Sequence, residues 1–393
     1  MKKEVVVLNC GSSSVKFAII DADTGEAGLS GLAESLENLD ASITYQLNGK
    51  KTSFSLSGNA GHTEALNAIS TIIEDTGVKP VAVGHRVVHG GEKFKQAALV
   101  NEEVLAAVED YASMAPLHNL ANLKGVVTAQ KAYPNLPHVC VFDTSFFQTM
   151  PQKAFIYALP MYLYKDHGIR RYGFHGTSHK FILDSTASLL NKPVEETSVI
   201  SAHLGNGCSV AAIEKGQAVD TSMGFIPLEG LVMGTRCGDV DPSLPGTLQK
   251  KLGKTADEIS DLLNKQSGLL GISELSNDCR TLEEEAHKGH EGAKLAIEIF
   301  CYRLAKYIAS YLIAVPSLDA IVFTGGIGEN SSLIRETTMG YFAHMGVAID
   351  QQKNLDARFG KGGEITASSS QKIVFVVPTN EEWMIAAEAA TFA

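Results

Sequence analysis

The sequence of 393 residues contains no long hydrophobic run and no excess of positive charge. No stretch approaches the roughly 18 to 20 apolar residues that a membrane-spanning helix requires. The 33 Lys and Arg residues are outnumbered by 44 Asp and Glu residues, so the formal net charge is −11 at pH 7. Nucleic acids and anionic membrane surfaces select basic proteins. We therefore expect neither a nucleic-acid partner nor a membrane partner.

Closely spaced cysteines are also lacking. The six cysteines include no C-x-x-C pair, and they are Cys10, Cys140, Cys208, Cys237, Cys279 and Cys301. Scattered cysteines in a chain of this length are typical of reduced thiols in the cytosol. Only four apolar residues, 5–8, follow the charged start of the chain, which is too few for the core of a signal peptide. We expect a cytoplasmic protein.

What the sequence does contain is material for a large globular core. Hydrophobic residues make up 45% and charged residues 20%, and the length predicts two domains or two facing halves. Predicted strands over residues 5–9 and 15–20 flank a Gly-Ser turn, and predicted strands over residues 198–204 and 210–213 flank a Gly-rich turn. The repeated strand–turn–strand unit predicts a duplicated fold; the alternative is a chance likeness of two hairpins.

The rest of the sequence predicts an α/β protein. A peripheral hairpin is expected over residues 43–47 and 52–56, with its turn at Asn48-Gly49. Spacing of apolar residues predicts strands over 81–88, 138–142, 319–323 and 372–377, and helices over 292–315 and 381–392.

Three Gly-rich turns follow predicted strands, at residues 11–14, 205–207 and 325–328. Glycine lets backbone N–H groups approach an anion closely. The dinucleotide fingerprint is incomplete. Gly253-Lys254-Thr255 resembles the end of a Walker A loop, but the first glycine of that loop would fall at position 248, which is Leu248. If phosphate is bound, hairpin turns are predicted to bind it.

Several basic side chains stand beside glycines. Arg86 and Arg236 do so in apolar surroundings, and a guanidinium suits carboxylate or phosphoryl oxygens; the alternative for each is a structural ion pair. Arg170 and Arg171 are predicted to be a solvated pair. His175 follows them at a predicted helix start, where it would face an anion.

Two pairs of histidines have the spacing of metal ligands. His85 and His89 lie on a predicted strand, where this spacing does not bring both rings to one ion. His175 and His179 lack the intervening Glu of the zinc-protease motif. We predict no zinc site.

Oxygen ligands for Mg²⁺ are better represented. Asn9, Asp143 and Glu381 all fall at or just beyond strand ends, and carboxylate and amide oxygens suit Mg²⁺. No G-x-S-x-G nucleophile motif is present. The pattern favours phosphoryl transfer by positioning and charge neutralisation.

The motifs of this sequence resemble those of the acetate kinases along almost the whole chain. The matching segments are residues 9–17, 84–91, 115–119, 142–144, 172–179, 203–207, 233–242, 323–330 and 378–382. The resemblance implies duplicated ribonuclease-H-like domains of the actin-like ATPase type, facing a central cleft, and a homodimer. It implies an N-terminal domain of residues 1–148 with the C-terminal helix 383–393, and a nucleotide-binding domain of residues 149–382.

The resemblance also implies roles for individual residues. Catalysis would fall to Asp143, His175 and Arg236. Arg86 would bind the substrate carboxylate, His118 would line the site, and the acyl methyl group would be held by Val88, Leu117, Phe174 and Pro227. Mg²⁺, with Mn²⁺ as the alternative, would be held by Asn9 and Glu381.

The remaining implied roles concern ATP. Lys16 would lie near the phosphates, which would be cradled by His203, Leu204, Gly205, Asn206 and Gly207. The adenosine would be held by Asp278, Cys279, Arg280, Gly326, Ile327, Gly328, Glu329 and Asn330. Two departures stand out: Phe147 replaces a histidine that is usual in the family, and Cys237 replaces a common serine.

The implied activity is reversible, direct in-line transfer of the γ-phosphoryl group of ATP to acetate, giving acetyl phosphate and ADP. A propionate or butyrate kinase is the nearest alternative, because one methylene in an apolar pocket is worth only about 1 to 3 kcal/mol. An actin-like or chaperone-like ATP-driven switch is the alternative from another class.

Overall fold

The computed structural model describes residues 2–113 and 116–393, with the side chains of 113–118 outside the description. It divides into two compact units. Unit 1 comprises Met1–Gln148, Gly176–Lys180 and Asn380–Ala393, and unit 2 comprises Thr149–His175 and Phe181–Thr379. The domain boundaries that the resemblance implies stay a prediction.

Unit 1 is built on an eight-stranded sheet. Its strands are β1 (Glu4–Cys10), β2 (Val15–Asp21), β3 (Ala27–Glu34), β4 (Ser42–Leu47), β5 (Lys50–Ser55), β6 (Ala82–Val87), β7 (Ala98–Leu99) and β8 (His138–Phe142). Their order across the sheet is β5-β4-β3-β2-β1-β6-β8-β7. β1 pairs antiparallel with β2 and parallel with β6, and β6 pairs parallel with β8.

The central strand β1 is apolar on both faces because the sheet is covered on both sides. Val6 and Leu8 belong to one hydrophobic cluster together with residues of helices α1 (His62–Asp75) and α3 (Pro116–Ala132). Val5 and Val7 belong to another, together with Ile385 of the C-terminal helix. Successive side chains of a strand point to opposite faces, so one apolar run serves two cores.

The other helices connect and flank the strands. They are α2 (Glu102–Asp110), α4 (Gln152–Phe155), α5 (Met161–His167), α6 (Gly176–Leu190), α7 (Leu244–Leu252), α8 (Ala256–Lys265), α9 (Gly268–Ser273), α10 (Cys279–His287), α11 (Glu291–Tyr311), α12 (Gly325–Asn330), α13 (Ser332–Gly340), α14 (Gln351–Asp356) and α15 (Glu381–Ala390). Single turns of 3₁₀ helix cover Tyr111–Ser113, Ser145–Thr149, Val194–Glu196 and Ala343–Met345. No helix in residues 2–113 and 116–393 has the length and hydrophobicity needed to span a membrane.

Unit 2 is built on a six-stranded sheet. Its strands are β9 (Val199–Leu204), β10 (Cys208–Glu214), β11 (Gln217–Thr221), β12 (Ala320–Thr324), β13 (Gly363–Glu364) and β14 (Ile373–Val376). Their order is β11-β10-β9-β12-β14-β13. This order and its strand directions repeat the arrangement β3-β2-β1-β6-β8-β7 of unit 1, with two antiparallel pairs, two parallel pairs and a final antiparallel pair.

The duplicated α/β fold predicted from the sequence is therefore confirmed. The hairpin β4–β5 has no counterpart in unit 2 and lies at the sheet edge, as predicted. One local prediction was wrong: residues 325–328 do not form a turn, because β12 runs directly into helix α12. Gly325 adopts a left-handed conformation with φ of 75°, which allows the chain to enter the helix at once.

Candidate active site

Two charged residues of unit 1 meet at the carboxyl ends of neighbouring strands. Arg86 lies in β6 and Asp143 follows β8, and these strands are parallel neighbours. Nε of Arg86 donates to Oδ1 of Asp143 at 3.0 Å, and Nη2 donates to Oδ2 at 2.7 Å. The structure is therefore compatible with both interpretations of Arg86, a structural ion pair and an anion-binding side chain. The guanidinium is paired, and the side chain is still 20% exposed.

Electrostatics keep Arg86 charged. Burial acts to lower the pKa of Arg86, but the negative charges of Asp143 and Glu381 outweigh it and raise the pKa above its usual value. The pKa of Glu381 is raised, mainly by burial and against the attraction of Arg86. A permanently cationic guanidinium and a buried carboxylate thus lie in one small region.

The start of helix α6 is tied to Asp143. The N–H of Gly176 donates to the carbonyl oxygen of Asp143 at 3.0 Å, and the hydroxyl of Thr177 donates to Oδ1 at 3.4 Å. A β-carbon on Gly176 would lie 2.1 Å from that carbonyl oxygen. Because no side chain fits there, the glycine is required for this close approach. Thr177 was not predicted to contact Asp143.

A pocket in unit 1 brings several predicted residues together. It is lined by Val7, Asn9, Lys16, Phe17, Arg86, Glu381, Glu382 and Ile385. The ammonium of Lys16 pairs with Glu382. Asn9 and Glu381 contribute amide and carboxylate oxygens to the same wall, which fits Mg²⁺, since that ion keeps several waters and takes one or two protein ligands beside substrate phosphates. In the described part of the chain, no group of three or more His, Cys, Asp or Glu side chains is arranged to hold a metal ion.

Two buried asparagines of helix α3 hold the segment after β6, a feature that sequence reasoning missed. Oδ1 of Asn122 accepts from the N–H of Val88 at 3.1 Å, and its Nδ2 donates to the carbonyl oxygen of Cys10 at 2.7 Å. Asn119 bonds both the N–H and the carbonyl oxygen of His89. Leu117 and His118, which were also predicted at the site, have side chains outside the described residues.

In unit 2, His175 and Arg236 converge on the turn between β9 and β10. A β-carbon on Gly207 would lie 3.4 Å from Nε2 of His175 and 3.4 Å from Nη2 of Arg236. The His175 ring lies 4.3 Å from the ring of His203, centroid to centroid, and its Nδ1 is 2.9 Å from Oγ of Ser209. His175 adopts a left-handed backbone conformation with φ of 59°, which is uncommon for a non-glycine residue and concentrated at functional sites.

Arg236 differs from Arg86 in its partners. Its Nη1 donates to the carbonyl oxygen of Pro227 at 2.6 Å, and none of the ion pairs among the described residues includes it. Burial lowers the pKa of Arg236. A half-buried guanidinium without a fixed acidic partner is a suitable group for a transferable anion.

The glycine-rich segments that were predicted to hold ATP are neighbours in unit 2. A β-carbon on Gly325 would lie 2.8 Å from the carbonyl oxygen of Leu204, so helix α12 begins against the end of β9. The carboxylate of Glu329 accepts from the N–H groups of Gly325 at 3.0 Å and of Thr379 at 3.1 Å. Since Glu329 is occupied by backbone groups, it shapes this segment.

Arg335 was not predicted and supports the same segment. It is fully buried, and its Nη1 donates to the carbonyl oxygens of Gly328 at 2.8 Å and Glu329 at 2.9 Å. Burial, followed by repulsion from Arg358, lowers the pKa of Arg335 to about 10. Nothing in the local sequence signals a guanidinium that binds backbone carbonyls.

The predicted adenosine residues near helix α10 differ in exposure. Asp278 accepts from the backbone N–H of Arg280 at 2.8 Å and caps the helix, and the Arg280 side chain is 85% exposed. Cys279 is buried, and its thiol donates to Glu283 at 3.5 Å. The Cys279 thiol therefore points to a partner inside the unit.

One basic pair was predicted wrongly. Arg170 and Arg171 are not a solvated pair: Arg170 is buried against the ring of Phe155, 3.6 Å from its centroid, and Arg171 forms an ion pair with Glu229 at 2.6 Å.

The two departures from the family pattern are accommodated locally. Phe147 is fully buried with its ring edge-on to His179. The Cys237 thiol donates to the carbonyl oxygen of Gly238 at 3.1 Å, and burial raises its pKa. Among the described residues, none of these hydrogen bonds and ring contacts joins Phe147 or Cys237 to Arg86 or Asp143.

Comparisons with known proteins show the family and the fold. The model of the acetokinase family matches residues 4–387. The acetate kinase of Shewanella baltica is 56% identical over 386 residues, which cover 97% of this chain and 96% of that protein. A propionate kinase from Francisella tularensis has a TM-score of 0.95 at 44% identity, and Porphyromonas gingivalis acetate kinase has a TM-score of 0.93 at 42% identity, each with 99% of both chains covered.

These matches confirm the family, the fold and the class of enzyme predicted from the sequence. A kinase of this family uses ATP, and ATP implies a divalent metal ion. With the family model matched over almost the whole chain and relatives more than half identical, the chain belongs to the acetokinase family.

Proposed function

We propose that the protein transfers the γ-phosphoryl group of ATP to acetate and forms acetyl phosphate and ADP, reversibly and by direct in-line transfer. The observation that carries the proposal is the pocket of unit 1, in which Arg86 is held by both oxygens of Asp143 beside Asn9 and Glu381. This set suits a small carboxylate and a divalent cation.

The chemistry requires relief of charge repulsion more than proton removal. Acetate is already ionised at neutral pH, so it is a nucleophile without a general base. Asp143 is 1% exposed and accepts from Arg86 and Thr177. Its role in the proposal is therefore to orient Arg86, which binds the acetate carboxylate, whereas a sugar kinase would need a free carboxylate as base.

We place the binding site for the transferring phosphoryl group in unit 2. His175 and Arg236 both lie next to the surface of Gly207, and their donors would stabilise charge on the equatorial oxygens in the transition state. The segments 203–207 and 325–330 would hold the phosphates and adenosine of ATP, with Glu329 and Arg335 keeping the second segment in shape. Lys16 would assist near the phosphates.

Mg²⁺ is the metal in this proposal. Asn9 and Glu381 would hold it, and when bound it supplies charge neutralisation of the phosphate oxygens. Removal of divalent ions with a chelator should abolish turnover, and addition of Mg²⁺ or Mn²⁺ should restore it. Full activity in excess chelator would contradict the metal assignment.

Propionate is the second candidate substrate, because the Francisella tularensis protein of the same fold is a propionate kinase. The relative at 56% identity is an acetate kinase, which favours acetate for this chain. Val88, Phe174 and Pro227 are proposed to hold the acyl methyl group; Phe174 is buried, and Val88 and Pro227 are half-buried.

The test is acyl phosphate formation, trapped as the hydroxamate, with ATP, Mg²⁺ and the series formate, acetate, propionate and butyrate. We expect kcat/KM to peak at acetate. A peak at propionate or butyrate would overturn the assignment of acetate. The absence of acyl phosphate with every acid, in protein that hydrolyses ATP at a rate indifferent to acetate, would indicate an ATP-driven switch instead.

We also propose that the protein works in the cytoplasm as a homodimer. All six cysteines are free, which suits a reducing compartment, and the dimer rests on the family resemblance. Light scattering of the eluted protein should give twice the chain mass of 42.0 kDa. A monomer at micromolar concentration would contradict the dimer.

A further inference from the structure

A polar cluster in unit 2 has no role in the proposed reaction. The hydroxyl of Tyr157 donates to Oε2 of Glu229 at 2.5 Å, and the other oxygen of Glu229 accepts from Nη2 of Arg171 at 2.6 Å. The side chains of Arg171 and Glu229 are only 17% and 31% exposed. We call Tyr157, Glu229 and Arg171 the clamp.

The clamp holds both ends of the segment that contains Pro227. The hydroxyl of Tyr157 accepts from the N–H of Phe225 at 2.8 Å while it donates to Glu229. One hydroxyl therefore bridges positions 225 and 229. Between them, the carbonyl oxygen of Pro227 accepts from Nη1 of Arg236 at 2.6 Å. The position of Pro227 thus determines where the Arg236 guanidinium is anchored.

The clamp also reaches the segment that carries Phe174 and His175. The carbonyl oxygen of Gly224 accepts from the N–H of Tyr172 at 3.0 Å. A β-carbon on Gly224 would lie 1.8 Å from Oε2 of Glu229 and 2.3 Å from the hydroxyl oxygen of Tyr157. Only glycine allows the clamp and the 172–174 backbone to meet at this point.

The protonation states required by the clamp are favoured by its surroundings. Burial, and then the negative charge of Glu229, raise the pKa of Tyr157, so its hydroxyl keeps the proton that it donates. Burial acts to lower the pKa of Arg171, but Glu229 and the acidic groups near it, Tyr311, Tyr157 and Asp220, together outweigh burial and raise the pKa overall. A hydrogen bond to a charged group is worth more than one between neutral groups, which makes the bridge between 225 and 229 stiff.

We propose that the clamp sets the acyl-chain selectivity of the enzyme, with Tyr157 as its positioning residue, by holding Pro227 in place and thereby anchoring Arg236. The inference rests on the proposed function, in which Pro227 contacts the acyl group and Arg236 the phosphoryl group. If Pro227 is free to shift, the pocket accepts a longer acid more readily and Arg236 is less well placed for transfer. Small misplacements of such groups reduce rates strongly.

Tyr157→Phe tests the proposal, because it removes the bridging hydroxyl and keeps the ring. We expect KM for acetate to rise about fivefold and the acetate-to-propionate ratio of kcat/KM to fall by about the same factor. KM for ATP should stay within about twofold. Tyr162→Phe is the matched control, since the Tyr162 side chain is 56% exposed, and its kinetics should match those of the unaltered protein.

A second variant guards against loss of folding in the first. Glu229→Gln keeps the side-chain shape and removes the charge that binds Arg171, and it should shift the selectivity ratio in the same direction. Because both changes weaken the hydrogen bond between Tyr157 and Glu229, the double variant should be little worse than the worse single variant. Melting temperatures of all variants separate lost folding from lost positioning.

The outcomes distinguish this inference from the proposed function. An unchanged selectivity ratio and unchanged KM for acetate in both folded variants, with only the melting temperature lowered, would overturn the inference and leave a stabilising role. Failure of the proposed function would appear in the unaltered protein, as the absence of acyl phosphate with every acid. In that event the inference falls with it.

Discussion

The two units share one topology and use it for different chemistry. In both, a three-stranded antiparallel meander leads into two parallel strands and a short antiparallel edge strand. Unit 1 places charged side chains at its strand ends, with Arg86 and Asp143 paired there. Unit 2 places glycines and backbone groups at the corresponding ends, around Gly207 and Gly325. The shared topology determines where a site can form, and the local residues determine what it binds.

The difference between the arginines of the two units predicts the largest effects. Arg86→Ala and Arg236→Ala should each lower kcat about 100- to 1,000-fold, because each removes a charge-stabilising donor. Only Arg86→Ala should also lower the free energy of unfolding, by about 3 kcal/mol, since it leaves buried Asp143 without its partner. Steady-state kinetics and urea denaturation measure the two effects.

Arg86→Lys is the matched control for that comparison. It keeps the charge and loses the bidentate contact, so it should recover most of the stability and little of the activity. Equal losses of stability in Arg86→Ala and Arg236→Ala would show that the ion pair of unit 1 does not distinguish the two sites.

The backbone site of unit 2 should be sensitive to a single methyl group. In Gly207→Ala the new β-carbon would stand 3.4 Å from both His175 and Arg236, where the phosphoryl group is proposed to bind. We expect kcat/KM for ATP to fall at least about tenfold, a loss of the order expected when a positioned site is displaced. The melting temperature should change little.

Gly246→Ala is the control for the methyl group itself. A β-carbon on Gly246 would have no neighbour within 4 Å, and the residue lies in helix α7. Alanine there should stabilise the protein by about 0.5 to 1 kcal/mol without any effect on activity. A loss of activity in this variant equal to that in Gly207→Ala would remove the argument for a phosphate site.

Unit 1 also contains a buried histidine pair, which predicts a smaller effect of pH on stability. Nε2 of His85 lies 2.9 Å from Nδ1 of His138, and burial, with the charge of His138, lowers the pKa of His85 to about 3. In the unfolded chain the imidazole pKa is about 6.5. Between about pH 6.5 and about pH 3 the unfolded state therefore binds a proton that the folded state does not bind. The free energy of unfolding should therefore fall as pH drops from about 6.5 towards 3, by up to about 1.4 kcal/mol per pH unit for this group.

Urea denaturation between pH 7.5 and 5 measures that slope. His85→Gln removes the titrating group and should make the slope shallower, although the variant is expected to be less stable at neutral pH. An identical slope in the variant would show that the acid sensitivity of the protein arises elsewhere.

Structural features that depend on consecutive residues could be predicted from the sequence. The hairpins β1–β2 and β9–β10 follow from apolar runs interrupted by glycine, and Asp143 and Glu381 could be placed at strand or helix ends from local pattern alone. The duplicated fold followed from the recurrence of one such unit. The exception was helix α12, because its three glycines suggest a turn while the left-handed Gly325 and the Glu329 carboxylate start a helix.

Contacts between distant segments were decided by the tertiary structure. Asn122 bonds a carbonyl group 112 residues away, and Tyr157 reaches Glu229 across 72 residues. Arg171, expected in solvent, lies against Glu229, 58 residues away. The sequence by itself determined most of the strands, because hydrophobic periodicity and glycine conformations act locally, and its motifs determined the family. The partners of buried polar groups depend on which segments the fold brings together, since each such group must find a partner wherever the chain leaves it.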